Sequence, residues 1–141
     1  MLQRILVIIP VLNEVNNIIP IVNKIKKNLK CDLLFIDDNS KDGTIEKILI
    51  VKKKYRKIFL IKRSKKLGIG SAHKDGLKWG YNKRYPIIIT MDCDGTHNPI
   101  YISQMIKILT SKKIDLVSTN RFLKNNSLDD WNLWRKKLTT L

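Results

Sequence analysis

The chain contains little cysteine: only two of its 141 residues, Cys31 and Cys93, carry a thiol. They are far apart, and neither has a histidine or a second cysteine near it at the spacing of metal ligands. This pattern argues against a zinc site and against a disulfide-stabilised scaffold, and it fits a reducing compartment.

Long hydrophobic runs are also absent. No stretch reaches the roughly 18 consecutive apolar residues of a membrane-spanning helix. The apolar run within residues 1–12 is short, is interrupted by Pro10 and lacks the small-residue cleavage site of a signal peptide. We therefore expect any membrane contact to be peripheral or to lie in a segment outside this chain.

Acidic residues are scarce relative to basic ones: 12 Asp and Glu stand against 28 Lys and Arg, which gives a formal net charge of +16. Such a charge attracts phosphates, nucleic acid or anionic lipid. The abundance of Lys, Ile and Asn is equally what an AT-rich coding sequence produces, so the charge alone does not select a partner. Because the sequence has no recognisable nucleic-acid-binding motif, we expect no nucleic acid partner.

Short apolar runs rich in β-branched residues alternate along the chain with stretches of helical periodicity. The runs that predict strands are 4–9, which Pro10 stops, then 32–37, 58–61, 87–91 and 115–118. Strands and helices that alternate in this way predict one α/β domain, with a mostly parallel, Rossmann-like sheet and helices on both faces.

Several acidic side chains follow the predicted strands directly. Glu14 comes after the first strand, Asp37 and Asp38 close the second, and Asp92 and Asp94 close the fourth. Parallel sheets bind ligands at the carboxyl ends of their strands. We therefore expect these carboxylates to lie together at one ligand-binding edge.

The triplet Asp92-Cys93-Asp94 indicates a metal site. Two carboxylates one residue apart repel each other, and a divalent cation relieves that repulsion. Mg²⁺ and Mn²⁺ are commonly held by one or two carboxylates together with substrate phosphates. Taken alone, however, the triplet fits a turn or a helix cap better than a metal site.

Two further segments allow both a binding and a structural interpretation. In residues 37–44, Asn39, Ser40 or Asp42 can cap the next helix, the adjacent aspartates can bind a base or ribose, and both can be true together. The basic residues 62–70 either cradle a phosphate or form a solvated loop. For His73 and His97 we expect a surface or supporting role rather than catalysis, although a direct role stays open for His97 because it lies three residues after Asp94.

Four motifs, in this order, resemble those of glycosyltransferase family 2: residues 9–14 (IPVLNE), 37–44 (DDNSKDGT), 66–70 (KLGIG) and 91–94 (MDCD). The sequence is most similar to the branch of dolichol-phosphate and polyprenol-phosphate sugar transferases. The resemblance implies a GT-A fold, a nucleotide-sugar donor, a lipid-phosphate acceptor, Mg²⁺ or Mn²⁺ as cofactor, and inversion at the anomeric carbon.

The resemblance also implies roles for individual residues. The residues expected to bind the nucleotide-sugar are Pro10, Leu12, Glu14, Asp37 and Asp38, together with Lys66 and Gly68 of the basic segment. Asp92 and Asp94 would hold the metal, with Thr96 as the candidate third ligand. Arg121 and Arg135 would neutralise the diphosphate and the acceptor phosphate, so the residues expected to act in catalysis are Asp92, Asp94, Arg121 and Arg135.

Residues 1–130 are expected to form the catalytic domain that binds the nucleotide-sugar. Residues 131–141 begin an amphipathic helix with Trp and Leu opposite Arg and Lys, a pattern that suits a membrane interface. We therefore expect a cytoplasmic enzyme bound peripherally at the inner membrane surface. The alternatives are transfer to a saccharide or protein hydroxyl, and a truncated module that binds nucleotide without transfer.

Overall fold

A computed structural model of the chain describes residues 4–119. Its elements in chain order are β1 (Ile5–Val11), α1 (Ile18–Asn28), β2 (Asp32–Asp37), α2 (Thr44–Lys54), β3 (Ile58–Lys62), α3 (Ile69–Asn82), β4 (Ile87–Thr90), a short 3₁₀ helix (Pro99–Tyr101) and α4 (Ile102–Ser111). The chain consists of two compact units, and the boundary lies between Ser103 and Gln104. The sheet belongs to the first unit.

The four strands form one parallel sheet in the order β3-β2-β1-β4. The chain moves outward from β1 to β2 to β3 and then returns to the other side of β1. Right-handed crossovers place α1 and α2 on one face of such a sheet and α3 on the other. The reversal leaves a switch point between β1 and β4, where open parallel sheets bind ligands.

The two central strands are buried on both faces. Leu6, Val7, Ile8 and Ile9 of β1 are fully buried, as are residues 33–36 of β2. This explains why both strands are continuous apolar runs rather than alternating ones. On the face that α3 covers, the buried core consists of Leu6, Ile8, Leu34, Ile36, Ala72 and Tyr85.

Helix α3 approaches the sheet closely through two glycines. A Cβ atom at Gly76 would lie 2.5 Å from Cγ2 of Ile8, and one at Gly80 would lie 2.8 Å from Cδ1 of Ile88. Carbon atoms at these distances overlap, so any larger residue at either position would force the neighbouring side chains or the helix to shift. The pair of glycines therefore sets how tightly α3 packs on β1 and β4.

Pro10 does not stop the first strand, contrary to the sequence prediction. Strand β1 continues to Val11, and Pro10 lies opposite Ile36 of β2. The carbonyl of Ile8 accepts a hydrogen bond from Met91, beyond β4. Residues two positions apart in a strand direct their backbone groups toward the same neighbouring strand, so the backbone nitrogen of Pro10 points to the β4 side. Strand β4 ends at Thr90, opposite Ile8, and does not reach the level of Pro10. The missing N–H of Pro10 therefore costs no hydrogen bond within the sheet.

The predicted fifth strand is wrong, since residues 115–118 have no regular secondary structure. Leu116 is 82% exposed, whereas a strand of this sheet would bury it. An apolar run of only a few residues depends on a hydrogen-bonding partner, and within residues 4–119 strand β4 pairs only with β1. The helix predicted over 131–141 lies outside the described residues. None of the helices within residues 4–119 is long and apolar enough to cross a membrane.

Candidate functional site

A cavity of about 380 Å³ opens at the carboxyl edge of the sheet, beside the switch point between β1 and β4. Its walls come from the chain segments that follow β1, β2 and β4 and from the start of α3. The predicted site residues that line it are Pro10, Leu12, Glu14, Asp38, Lys66, Gly68, Asp92 and Asp94. The structure thus brings together residues from all four motifs.

Some predicted site residues are not part of this lining. Asp37 is fully buried beside it, and Thr96 is exposed on the loop that follows Asp94. Arg121 and Arg135 lie outside the described residues. The roles expected for all four of these residues remain predictions.

The loops after β1 and β2 are held together by hydrogen bonds. The N–H of Asn13 donates to Oγ of Ser40 at 2.9 Å, and the N–H of Lys41 donates to Oδ1 of Asn13 at 2.9 Å. The N–H of Glu14 donates to Oγ1 of Thr44 at 2.8 Å. Much of the motif at residues 37–44 therefore serves to position the chain between Pro10 and Glu14 at the cavity wall.

Asp37 shapes the turn after β2. Its Oδ2 accepts hydrogen bonds from the backbone N–H groups of Asn39 and Ser40, each at 3.0 Å. Asp42 makes a similar turn, because its Oδ1 accepts the N–H of Thr44 at 3.0 Å. Asp42 thus binds the first N–H group of α2, whereas Gly43, the residue directly before α2, makes no side-chain cap. The turn formed by Asp37 is not part of the capping interpretation, and a ligand-binding role for Asp37 stays a prediction.

Asp38 binds the basic segment that precedes α3. Its carboxylate accepts the N–H of Leu67 at 2.9 Å and the N–H of Gly68 at 2.8 Å. Burial alone would raise the pKa of Asp38, but these hydrogen bonds and the charges of Arg63 and Lys66 outweigh it, so the pKa is lowered. Asp38 is therefore an anion in the folded protein, and it fixes one wall of the cavity.

Arg63 is a buried cation that the sequence analysis did not single out. Its guanidinium lies 3.4 Å from Oδ1 of Asp38 and 3.7 Å from Oδ2 of Asp75, and it donates to the hydroxyl of Ser71. The register of the sheet explains this contact. Asp37 pairs with Lys62 at the ends of β2 and β3, so the next residues, Asp38 and Arg63, are neighbours just beyond the sheet. Arg63 thereby ties β2, β3 and α3 together behind the cavity.

The loop over residues 92–97 is closed by two sets of hydrogen bonds. Nδ1 of His97 accepts the backbone N–H of Asp92 at 3.0 Å. Oδ1 of Asp94 accepts both the N–H of Thr96, at 3.0 Å, and its hydroxyl, at 2.7 Å. His97 thus contacts the backbone of Asp92 across this loop.

Cys93 lies between the two aspartates and points into a buried environment. Burial raises the pKa of its thiol to about 12, and the nearby carboxylates of Glu14, Asp94 and Asp92 act in the same direction. The thiol therefore remains protonated at neutral pH and is a poor nucleophile and metal ligand.

His73 on α3 lies behind the same loop. Burial lowers the pKa of its imidazole, the charge of Asp92 acts in the opposite direction, and His97 lowers the pKa further. Within the described part of the chain, Nδ1 of His73 is buried and makes no hydrogen bond. His73 is therefore a neutral ring that packs near Asp92.

The carboxylates fit a cation that is shared with a bound ligand. Among residues 4–119, no group of three or more His, Cys, Asp or Glu side chains is arranged to hold a metal ion by itself. Asp92 is half-buried and Asp94 is exposed, and both face the cavity. Mg²⁺ and Mn²⁺ suit such an open pair of carboxylates, since they retain water or phosphate oxygens as further ligands.

Comparison with known proteins identifies the family. A family model described as glycosyl transferase family 2 matches residues 6–140, nearly the whole chain. The chain belongs to glycosyltransferase family 2. Family 2 membership confirms the resemblance drawn from the four motifs, all of which lie within the matched residues.

Two curated relatives match nearly the whole chain. It is 30% identical over 138 residues to the polyprenol monophosphomannose synthase of Mycolicibacterium smegmatis, a match that covers 95% of this chain and 51% of the relative. It is 27% identical over 138 residues to the undecaprenyl-phosphate mannosyltransferase of Micrococcus luteus, with coverage of 97% and 56%. The chain spans about half the length of the curated relatives it matches.

Two solved structures share the fold. The mannosyltransferase PcManGT from Pyrobaculum calidifontis, solved in complex with GDP-Man and Mn²⁺, has a TM-score of 0.67 and 19% identity, and the match covers 89% of this chain and 38% of that one. TarS of S. aureus has a TM-score of 0.61 and 18% identity, with coverage of 79% and 20%. The predicted α/β class and GT-A fold of this family 2 chain are therefore confirmed.

Proposed function

We propose that the chain is an inverting, metal-dependent glycosyltransferase that moves a sugar from a nucleotide-sugar to a polyprenyl or dolichyl phosphate. The strongest support is the cavity at the switch point of the sheet, whose lining combines Asp38, Lys66, Asp92 and Asp94. This combination offers carboxylates for a divalent cation and an ammonium group for a phosphate. A diphosphate bound with Mg²⁺ or Mn²⁺ is the ligand that uses both.

The nucleoside would bind on the β1 and β2 side of the cavity. Pro10, Leu12 and Glu14 line that side, and the interlocked loops after β1 and β2 hold them in position. Asp38 is already engaged by the N–H groups of Leu67 and Gly68. We therefore propose that Asp38 acts on the nucleotide mainly by fixing the wall formed by Lys66 and Gly68.

The diphosphate would lie between Lys66 and the loop over residues 92–97. Asp92 and Asp94 would hold the cation, with Thr96 as the candidate third ligand. Bound Mg²⁺ or Mn²⁺ supplies positive charge that stabilises the departing nucleoside diphosphate. Lys66 contributes a further positive charge from the chain itself, and charge stabilisation of this kind is commonly the largest part of catalysis.

A lipid phosphate is the proposed acceptor because both relatives are named for transfer to polyprenol-type phosphates. A phosphate oxygen is ionised at neutral pH, so no general base is required. The acceptor oxygen bonds to C1 of the sugar as the bond from C1 to the diphosphate breaks, and the electron pair leaves with the diphosphate. We assign Arg121 and Arg135 to the acceptor side of this transfer.

The acceptor also implies a place in the cell. We propose that the enzyme acts at the cytoplasmic surface of the membrane, and that residues 131–141 contribute to peripheral contact through their Trp and basic side chains. Residues 1–130 would then be the catalytic domain proper. A donor-binding module without transfer is the second candidate, because the chain spans only about half of its relatives.

Mannose and GDP are the first sugar and nucleotide to test. Both curated relatives are named for mannose, and PcManGT was solved with GDP-Man and Mn²⁺. Calorimetry should show Mn²⁺-dependent GDP binding by the wild-type chain, and Asp94→Asn should weaken it at least about tenfold. Asp115→Asn is the matched control, since it removes an exposed carboxylate that does not line the cavity.

Turnover separates the two candidates. Labelled GDP-mannose and polyprenyl phosphate in vesicles should yield a lipid-linked mannose with the anomeric configuration opposite to that of the donor. Binding of GDP and Mn²⁺ without turnover would support the donor-binding module. If neither GDP nor other nucleoside diphosphates bind in Mn²⁺, the proposal is wrong.

A further inference from the structure

We propose that His97 is a positioning residue for the metal and diphosphate site. Its Nδ1 accepts the backbone N–H of Asp92 at 3.0 Å and so closes the loop over residues 92–97. This inference rests on the proposed function, because it concerns how Asp92 and Asp94 are presented to a cation. His97 acts through the backbone of Asp92, and it is not itself a ligand.

The hydrogen bond defines the tautomer of the imidazole. A ring nitrogen that accepts an N–H must carry a lone pair, so this contact requires that Nδ1 of His97 carries no proton and leaves Nε2 as the N–H donor. The same Nδ1 lies 3.5 Å from Oδ2 of Asp92, a longer distance than that to the backbone N–H. The backbone N–H of Asp92 is therefore nearer to Nδ1 than the carboxylate of Asp92, which lines the cavity.

His97 is anchored independently of any ligand. Gly95 has a φ of +84°, which lets the chain reverse direction within the loop. Asn98, the next residue after His97, accepts the N–H of Ile100 at 3.2 Å, and Pro99 begins the 3₁₀ helix. The backbone that follows His97 is thus fixed by the start of the 3₁₀ helix, and the imidazole links it to the amino-terminal side of the loop.

Asp94 is positioned by the same closure. The contacts from Thr96 to Oδ1 of Asp94 lie inside the loop that His97 closes. If the bond from Asp92 to His97 is lost, the N–H of Asp92 loses its partner and both ends of the loop can separate. The two carboxylates would then no longer be held at the spacing that one cation requires.

Three substitutions at position 97 test this role. In His97→Asn, the side-chain oxygen can occupy the place of Nδ1 and accept the N–H of Asp92. In His97→Gln, the amide lies near the place of Nε2, and in His97→Ala the acceptor is absent. We expect His97→Gln and His97→Ala to weaken Mn²⁺-dependent GDP binding by roughly 10-fold to 100-fold, as for other residues that orient a metal ligand, whereas His97→Asn should retain most of the affinity.

The tautomer provides a readout that needs neither metal nor turnover. The chain has two histidines, so ¹⁵N NMR of the metal-free protein should show signals from two imidazoles. The signals that disappear in His97→Ala are those of His97. We expect the Nε2–H tautomer for His97. The comparison of His97→Asn with His97→Gln remains informative even if His97→Ala fails to fold.

Three outcomes would overturn this role. They are an Nδ1–H tautomer, equal affinity for Mn²⁺ and GDP in all three variants, and a spectroscopic coupling between bound Mn²⁺ and an imidazole nitrogen of residue 97, which would make His97 a ligand. Failure of the wild-type chain to bind GDP with Mn²⁺ would instead contradict the proposed function. In that case the tautomer and the contact with Asp92 still test the structural role of His97.

Discussion

Arg63 and Asp38 form a buried ion pair behind the candidate site, with Nη1 of the arginine 3.4 Å from Oδ1 of the aspartate. The same carboxylate accepts the N–H groups of Leu67 and Gly68. A single side chain thus balances a buried cation and holds the segment that lines one wall of the cavity. Stability and the shape of the site both depend on this pair.

Asp38→Asn should destabilise the fold strongly. The substitution leaves the guanidinium of Arg63 buried without its main counter-charge, and losing one partner of a buried pair typically costs about 3–5 kcal/mol. Urea denaturation would measure the change in the free energy of unfolding. Asp75→Asn is the matched control: its carboxylate is half-exposed and 3.7 Å from Arg63, so we expect a change below about 1 kcal/mol. Equal effects of the two substitutions would contradict a special role for Asp38.

The stability that Asp38 contributes should depend on pH. The pKa of Asp38 in the folded protein is lowered from the ordinary value of 3.8. As pH falls below that value, the unfolded chain takes up the proton first, so the free energy of unfolding decreases until the folded pKa has been passed. The difference in stability between wild type and Asp38→Asn should be full near neutral pH and should shrink in acid. A difference that is constant from neutral to acidic pH would argue against an ionised Asp38.

Gly76→Ala should destabilise the packing of α3 on the sheet. The added methyl group would lie 2.5 Å from Cγ2 of Ile8 and 2.8 Å from Cδ1 of Ile36, and overpacking of this kind costs about 1–3 kcal/mol. Gly70→Ala, in the first turn of the same helix, meets no atom within 4 Å. We expect it to be neutral or slightly stabilising, because alanine favours helix. Thermal denaturation of the two variants would measure this contrast.

Tyr85→Phe should be costly, whereas Tyr81→Phe should not. The hydroxyl of Tyr85 donates to Oδ2 of Asp32 at 2.6 Å in a buried position, and loss of such a bond costs about 1–3 kcal/mol. Tyr81 is 80% exposed, so removal of its hydroxyl should leave stability unchanged. Chemical denaturation of both variants tests the pair. A neutral Tyr85→Phe would mean that Asp32 finds another donor.

Lys66→Ala should weaken Mn²⁺-dependent GDP binding by roughly tenfold, since a hydrogen bond to a charged group is worth about 1.5–3 kcal/mol. Lys65→Ala removes the same charge from the neighbouring residue, which does not line the cavity, and should have little effect. Calorimetry at two salt concentrations should show a smaller salt dependence for Lys66→Ala than for the wild type. If both variants lose affinity equally, the contribution is general charge rather than a contact.

The four strands of the sheet could be predicted because each is a continuous apolar run, and burial of β1 and β2 on both faces explains that pattern in the two central strands. The positions of Asp38, Asp92 and Asp94 could also be predicted, because residues that follow parallel strands lie at the carboxyl edge of the sheet, where ligands bind. The predicted strand at residues 115–118 was wrong because a short apolar run does not reveal whether a neighbouring strand is available to pair with it.

The roles of Arg63 and His97 could not be predicted from composition or periodicity. Arg63 sits among many basic residues, and only the register of β2 against β3 distinguishes it from the exposed lysines nearby. The contact of His97 depends on how tightly the loop over residues 92–97 closes, which is a property of the backbone. Sequence patterns reveal which face a residue occupies, but they do not reveal which atoms meet.

The close approach of α3 at Gly76 and Gly80 links the interior of the protein to the performance of the site. The first turn of the same helix lines the cavity, through Ile69 and Ala72. A substitution that lifts the helix from the sheet would therefore displace the cavity wall as well. Variants with changes deep in this core would emerge from a binding screen as affinity mutants, although no altered atom touches the ligand.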